Sequence, residues 1–191
     1  HPSDDLMTQL LDAEFDDETG TRRRLTRDEV LTYVMLLAGA GNETTTRLIG
    51  WTGKLLAEHP DQRRALVEDR SLIPYAIEEI LRFSPAVHSF RRTATQPTAI
   101  RGQEIKEDAK LILWYPSANR DEDVFAAPFE FRVDRSPNRH LAFGIGEHFC
   151  LGAHVARVEL ETIFRHLLER LEFFELLGPV ERLRSATLGG I

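Results

Sequence analysis

The sequence has little of three things: cysteine, net positive charge and long apolar runs. One cysteine in 191 residues excludes an intramolecular disulfide. The net charge of −7 argues against nucleic acid as a main partner, because phosphate binding needs a clustered basic surface. The apolar run over 34–41 is well below the roughly 18 residues that a membrane span needs. We therefore expect neither a nucleic-acid nor a membrane partner, and the single cysteine is compatible with a reducing compartment such as the cytoplasm.

What the sequence does have is the composition of an ordinary globular protein, with 42% hydrophobic and 29% charged residues. Its length suits one domain with a substantial core, or a large piece of a bigger domain. Composition therefore predicts a folded chain, and the length leaves both readings open.

The first half of the chain predicts helices. Thr26 and Glu29 have the spacing of a capping box, in which the threonine caps a helix and the glutamate reaches back to it. No proline interrupts residues 27–58, so one long helix is expected there. Prolines then separate two shorter predicted helices, at about 60–69 and 72–83.

The second half begins with short β-like runs. Residues 87–114 predict a small sheet, with strands at 89–95 and 110–114 separated by turn residues. Residues 115–149 are rich in proline, asparagine, aspartate and glycine, an irregular stretch of a length that is usually functional or mobile. Together with the helices, this predicts a mostly α protein with a small β region.

The single cysteine, Cys150, ends a loop with glycines on both sides, in the stretch HLAFGIGEHFCLGA. Apolar residues recur every three or four positions over 156–171, so a helix is expected at about 151–171 with the cysteine at its N-terminus. The helix dipole and free backbone N–H groups favour a thiolate there. A zinc site needs three or four ligands, which His148 and His154 do not complete, whereas iron with one axial thiolate needs only one cysteine. A small buried cysteine is the alternative reading.

A second unusual segment lies inside the long predicted helix, at residues 38–46. Its two glycines and three threonines are poor helix formers, each interior glycine costing about 1 kcal/mol relative to alanine. The missing side chains leave room for a flat ligand, and Thr44 can bond the carbonyl of Ala40 or release it. Glu43 and Thr44 offer an acid and an alcohol for proton transfer. A glycine patch for helix packing is the alternative.

The third feature, Glu79 and Arg82 on one helical face, means little by itself. In this order, however, the three features resemble the C-terminal half of a cytochrome P450, a haem-thiolate monooxygenase of the soluble bacterial type. Residues 143–152 match the family's haem loop at the phenylalanine, both glycines, the histidine, the cysteine and the final glycine. Residues 40–45 look like its oxygen-activation segment.

The resemblance covers essentially the whole chain and implies a role for each matching residue. Glu79 and Arg82 match a glutamate and an arginine that lock onto a third residue, for which Arg135 fits best. The cofactor would be haem b (iron protoporphyrin IX), with Cys150 as the axial ligand of its iron. The other implied site residues are Phe143, Gly144 and Gly152 around the sulfur, His148 and Arg92 at the propionates with Arg91 as a close rival, Ala40 and Gly41 on the opposite face, and Glu43 and Thr44 as the proton-handling pair.

The implied reaction inserts one oxygen atom of O2 into a small hydrophobic substrate. That substrate would touch Leu36, residues 86–90 and Thr187. Electrons would come from a ferredoxin and a ferredoxin reductase, docking on the cysteine face near Arg157 and Arg165.

Three alternatives remain open. The first is a haem-thiolate isomerase, dehydratase or peroxygenase, and the second is a haem module that senses gas or redox state. The third is a cysteine nucleophile with His148 as its base. The resemblance also implies that the family's N-terminal half precedes His1 and that a short strand follows Ile191. The chain would then be the C-terminal part of a single P450 domain.

Overall fold

The computed structural model describes residues 4–171, 173–182, 184–185 and 187–190. These residues form two compact units, the first ending at Glu43 and the second beginning at Thr44. The helices are α1 (Leu6–Asp12), α2 (Arg27–Glu58), α3 (Pro60–Glu68), α4 (Ile73–Phe83), α5 (Tyr115–Ala118) and α6 (Ala153–Arg170). The strands are β1 (Glu14–Asp16), β2 (Arg22–Arg24), β3 (Ser89–Thr93), β4 (Thr98–Ile100), β5 (Gln103–Ile105) and β6 (Lys110–Trp114).

The first unit contains α1, the antiparallel hairpin β1–β2 and the start of α2. The capping box at that start is confirmed, since the N–H of Thr26 donates to Glu29 at 2.7 Å and the N–H of Glu29 donates to the hydroxyl of Thr26 at 3.3 Å. Arg23 of β2 binds both carboxylate oxygens of the same glutamate at 2.8 Å. The helix α1 and this hairpin were not predicted from the sequence.

Helix α2 has the bounds of the predicted long helix, and the boundary between the two units falls inside it. Its last three turns enter the core of the second unit, together with α3, α4 and α6. The buried apolar side chains of this core include Leu48, Trp51, Leu55, Leu56, Leu66, Ile73, Ile77, Ile80, Leu160, Phe164 and Leu168. Each large apolar side chain buried in this way stabilises the fold by roughly 1.5–3 kcal/mol.

The predicted small sheet is instead two separate two-stranded sheets, β3–β6 and β4–β5. Strands β4 and β5 are joined by a tight turn in which Arg101 and Gly102 both have positive φ, of 49° and 79°. A turn of that kind pairs the two strands it joins. Strand β3 ends at Thr93 rather than residue 95. The carbonyl of Ala94 still accepts the N–H of Asp108, but Asp108 has a φ of 62°, so the regular pairing stops there.

The other predicted bounds differ from the observed ones by one or two residues. Helix α3 ends one residue before the predicted 60–69, α4 begins one residue after the predicted 72–83, and α6 is shorter than the predicted 151–171 at both ends. The stretch 115–149 is largely irregular, as expected, although it begins with the short helix α5.

Candidate functional site

The loop before α6 folds back on itself around two glycines. Gly144 and Gly146 have φ of 72° and 74°, a left-handed conformation that costs other L-residues energy. The N–H of Gly144 donates to the carbonyl of Leu141 at 2.9 Å, and the N–H of Cys150 donates to the carbonyl of Phe143 at 2.9 Å. This second hydrogen bond holds the cysteine beside the phenylalanine.

Cys150 is exposed and precedes α6, whose N-cap is Gly152. The thiol therefore lies in the turn before the helix, a small correction to the prediction that the helix begins at about residue 151. The N–H of Ala153 donates to the carbonyl of Cys150 at 3.2 Å, which ties this turn to the first helical residue. The apolar neighbours Ile145 and Leu151 are 77% and 81% exposed, so the thiol stands on an open apolar surface.

The sheet β3–β6 presents Arg92 on the face that leads to this loop. Arg92 and Phe90 alternate with Arg91 along β3, so they share one face and Arg91 lies on the other. The ring of Phe90 packs edge-on against Tyr115, with 6.1 Å between ring centroids. The hydroxyl of Tyr115 lies 3.8 Å from the point where a Cβ on Gly144 would be. Of the two rival arginines, Arg92 is therefore the one whose face connects to the cysteine loop.

The predicted ion network is present, and its third member is Arg135. Glu79 is fully buried, and Arg82 donates from Nε and Nη2 to its two carboxylate oxygens, both at 2.7 Å. Arg135 donates from Nε to both oxygens, at 3.1 and 3.0 Å. One buried carboxylate thus joins a helix to the irregular stretch, as the sequence predicted.

Both arginines donate their remaining N–H groups to backbone carbonyls of the irregular stretch. Arg82 donates to the carbonyls of Asn119, Pro128 and Glu130, at 2.9, 2.8 and 3.1 Å. Arg135 donates to those of Ala126, Ala127 and Glu130, at 2.7, 3.1 and 2.9 Å. Buried charges are tolerated only with such full hydrogen bonding, so the network orders a segment that has little regular structure of its own.

Asn119 is a buried structural residue that the sequence did not reveal. Its Nδ2 donates to the carbonyl of Arg82 at 3.2 Å, and its Oδ1 accepts the N–H of Leu141 at 2.8 Å. It therefore connects the end of α4 to the start of the cysteine loop. A single asparagine in a polar stretch carries no signal that would have marked it as buried.

A second carboxylate, Glu78, binds two residues around the cysteine loop. The sequence did not predict these two contacts. Arg157 of α6 donates to its two oxygens at 2.6 and 2.9 Å, and the Nε2 of His140 lies 2.9 Å away. Burial pushes the pKa of Glu78 upward, but hydrogen bonds from Arg157 and His140 and attraction to the charge of Arg157 outweigh it and lower the pKa to about 2. The neighbouring Glu79 drew attention in the sequence, and Glu78 did not.

These contacts change the prediction for electron-donor docking. Arg157 is committed to Glu78, and Arg165 pairs with Glu161 at 2.7 Å. Each predicted docking arginine therefore already has an acidic partner within the chain, which weakens its attraction for another protein's acidic surface.

The predicted site residues fall in both units of the chain. Cys150, Phe143, Gly144, His148, Gly152 and Arg92 belong to the second unit, where His148 and Arg92 are exposed. Ala40, Gly41 and Glu43 lie on α2 in the first unit, and Thr44 begins the second. The roles of these residues in binding haem and in handling protons stay predictions.

The chemistry of the cysteine loop fits haem. In the described part of the chain, no group of three or more histidine, cysteine or acidic side chains could hold a metal ion, whereas a porphyrin iron needs one protein ligand. A Cβ on Gly146 or Gly152 would meet no atom within 4 Å, so the backbone around the thiol is open to a flat ligand. The exposed imidazole of His148 and guanidinium of Arg92 can both donate hydrogen bonds to its carboxylates.

Within the described residues, none of the helices combines the length and the apolarity that crossing a membrane requires.

A mostly helical fold, one cysteine on a glycine loop and a buried ion network are the features that the resemblance to a haem-thiolate family implied. A family model of cytochrome P450 matches residues 1–183. The chain belongs to the cytochrome P450 family, and its structure is part of the P450 fold.

Bacterial proteins are among its relatives. The chain is 39% identical over 189 residues to cytochrome P450-terp of a Pseudomonas species, covering 99% of the chain and 43% of that protein. It is also 39% identical over 192 residues to a steroid C26-monooxygenase of Mycobacterium tuberculosis, covering 100% and 43%. The chain thus spans less than half the length of these relatives.

Solved structures resemble the chain over its full length. CYP109E1 from Bacillus megaterium in complex with testosterone matches with a TM-score of 0.92 and 35% identity, covering 100% of the chain and 52% of that structure. P450BioI in complex with an acyl carrier protein ligated to hexadec-9Z-enoic acid matches with a TM-score of 0.92 and 34% identity, covering 100% and 47%.

Proposed function

We propose that the chain is the C-terminal, haem-binding part of a cytochrome P450 monooxygenase. The observation that carries the proposal is the loop of Cys150, which presents one exposed thiol. Two glycines with positive φ and the hydrogen bond from the N–H of Cys150 to the carbonyl of Phe143 shape this loop. Membership of the family supports it, as does the similarity to a steroid C26-monooxygenase.

In this proposal Cys150 binds the iron of haem b, and Phe143 shields the sulfur from water. Arg92 and His148 hold the propionates, since both side chains are exposed N–H donors and Arg92 lies on the sheet face that leads to the loop. Gly144 and Gly152 keep the backbone close to the cofactor. Bound haem with a thiolate ligand supplies the activation of O2 that a monooxygenase needs.

The residues of α2 that the family resemblance singles out would serve the same reaction. Ala40 and Gly41 leave space along the helix, because neither has a side chain beyond Cβ. Glu43 and Thr44 hold and pass protons during oxygen activation. The position of these four residues on one helix, one to two turns before Leu48 of the core, supports this part of the proposal.

We propose a small hydrophobic substrate. Apolar side chains that are largely exposed, including Leu36 of α2 and Phe90 of β3, support this choice. Testosterone in CYP109E1 and a fatty acyl group in P450BioI are likewise apolar. A ferredoxin and its reductase as electron donors belong to the same proposal, with contacts other than Arg157. The cytoplasmic location stays a prediction.

The alternative haem-thiolate activities differ from this proposal in one measurable property. A monooxygenase consumes O2 and external electrons in proportion to product, whereas an isomerase or dehydratase consumes neither and a peroxygenase replaces both with peroxide. A sensor module turns nothing over. The neighbouring pair Glu43 and Thr44 favours the monooxygenase, because its chemistry suits proton delivery to reduced oxygen.

The deciding experiment is the carbon monoxide difference spectrum of the reduced protein. It would be recorded on this chain and on a longer chain with the full length of the relatives, each as wild type and as Cys150→Ser. We expect a strongly red-shifted Soret band that the serine variant loses, with Glu161→Gln as a control that keeps it. Bound haem without that band in either wild-type chain would refute thiolate ligation. Failure of both to bind haem would favour a cysteine nucleophile.

A further inference from the structure

The cysteine loop is clamped from the side of α6 by an ion pair that the proposed chemistry does not use. Arg157 binds both oxygens of Glu78, so its planar guanidinium forms a bidentate salt bridge. Its carbon Cζ lies 4.7 Å from the centre of the Phe143 ring, in the geometry of a cation–π contact. The ion pair therefore fixes the position of an aromatic ring in the loop.

That ring belongs to the residue that holds the cysteine. The carbonyl of Phe143 accepts the N–H of Cys150 at 2.9 Å, and the Phe143 ring also packs edge-on against Phe149, with 6.4 Å between centroids. A displacement of Phe143 would thus move both the cysteine and the residue before it. The contacts run from helix α4 through Glu78 and Arg157 to the backbone of Cys150.

His140 closes the clamp at the other end of the loop. Its Nδ1 accepts the N–H of Ala142 at 3.1 Å, so its proton lies on Nε2, which donates to Glu78 at 2.9 Å. Only 3% of this side chain is exposed. Glu78 therefore anchors the entry of the loop through His140 and its phenylalanine through Arg157.

Electrostatics support the same arrangement. Hydrogen bonds to Glu78 raise the pKa of Arg157 above its ordinary value, against the effect of burial, and attraction to Glu78 and to Cys150 adds to the increase.

We propose that Arg157 is a positioning residue for Cys150: held by Glu78, it keeps Phe143 in the place from which its carbonyl fixes the cysteine backbone. The importance of that position for haem ligation rests on the proposed function, whereas the clamp itself is a property of the folded chain. Arg157 touches neither substrate nor reacting atoms in this role.

The same helix provides a matched control. Arg165 lies eight residues further along α6 and pairs with Glu161, so it has the same chemistry on the same element. Eight residues separate the two arginines by about 12 Å along a helix. Replacing Arg165 removes an arginine–glutamate pair without touching the loop.

Hydrogen–deuterium exchange of the chain without haem tests the clamp. In Arg157→Met we expect exchange at 140–153 to become at least about tenfold faster, with exchange at 160–168 of α6 unchanged, because a local clamp affects local opening. Arg165→Met should match the wild type in both segments. Unchanged exchange at 140–153, or equal acceleration of both segments, would overturn the proposal.

Two further variants keep the test decisive if the methionine variant does not fold. Glu78→Gln keeps the volume but loses the charge, and it should accelerate the same segment. Arg157→Lys keeps the charge but cannot form the planar bidentate salt bridge, and its segment 140–153 should exchange faster than in the wild type. An exchange rate at 140–153 equal to that of the wild type in the lysine variant would contradict the role of the bidentate salt bridge.

A potential measurement separates positioning near the thiolate from simple structural support. In the longer, haem-loaded chain we expect the reduction potential to become more negative in Arg157→Met and to stay unchanged in Arg165→Met, because a nearby cation is lost. Equal shifts in the two variants would overturn the proposal. Haem uptake is measured separately, so failure to bind haem counts against the proposed function and leaves the exchange result intact.

Discussion

Arg135 donates from one nitrogen to both carboxylate oxygens of Glu79, at 3.1 and 3.0 Å, although 56 residues separate the two in sequence. Arg82 binds the same carboxylate from within its own helix. The one buried carboxylate thus neutralises two buried guanidinium groups. These two groups in turn donate hydrogen bonds to the carbonyls of the irregular stretch. The stability of the region that carries the cysteine loop is therefore concentrated in a single side chain.

Replacing Glu79 with glutamine should destabilise the chain severely. Two buried guanidinium groups would lose their counter-charge, and breaking a buried pair in this way costs about 3–5 kcal/mol. Urea denaturation followed by circular dichroism measures the loss. The control is Glu161→Gln, whose pair with Arg165 is exposed and should change the free energy of unfolding by less than about 1 kcal/mol. Similar small effects for both variants would show that the network does not hold the fold.

Gly144→Ala should destabilise the chain by about 1–2 kcal/mol, because its φ of 72° places the residue in the left-handed region. The contacts around an added Cβ are ordinary, at 3.5 Å or more, so the cost comes from the backbone conformation. Gly53→Ala is the matched control. That glycine lies inside α2 with open space around it, and alanine there should stabilise by about 0.5–1 kcal/mol. Equal effects of the two substitutions would contradict the assignment of strain.

Stability at low pH should depend on Glu78. The pKa of this carboxyl is lowered from 4.5 to about 2 in the folded chain, so its stabilising effect is complete above pH of about 4.5 and is lost as the pH falls towards 2. Glu78→Gln lacks this effect. The difference in unfolding free energy between wild type and variant should therefore shrink as the pH is lowered from 6 to about 2.5, measured by urea denaturation at each pH. A constant difference across this range would show that Glu78 does not titrate as described.

Thr44→Ala should separate electron consumption from product formation in the longer, haem-loaded enzyme. In the proposed function, losing the hydroxyl removes a group that would hold protons during oxygen activation, while the proposed haem ligand Cys150 is untouched. The expected result is normal haem content with less product per NADH oxidised. Thr44→Ser keeps the hydroxyl and should retain most of the coupling. Normal coupling in the alanine variant would contradict the proton-handling role of Thr44.

The sequence by itself determined the elements whose causes are local. The capping pair Thr26 and Glu29 set the start of α2, and the proline at position 60 set its end, so the bounds of the longest helix were predictable to the residue. The glycines around Cys150 also predicted the loop. A positive φ is a local property that glycine adopts readily because it has no Cβ.

Only the tertiary structure decided which distant side chains meet. It showed that Glu78 binds Arg157 across 79 residues of sequence and that the face of β3 with Phe90 packs against Tyr115. It also divided one predicted sheet into two. An arginine has several acidic residues it could pair with in sequence, and the choice among them is made by the packing of helices and loops. Packing depends on contacts between segments far apart in the chain, which no local pattern specifies.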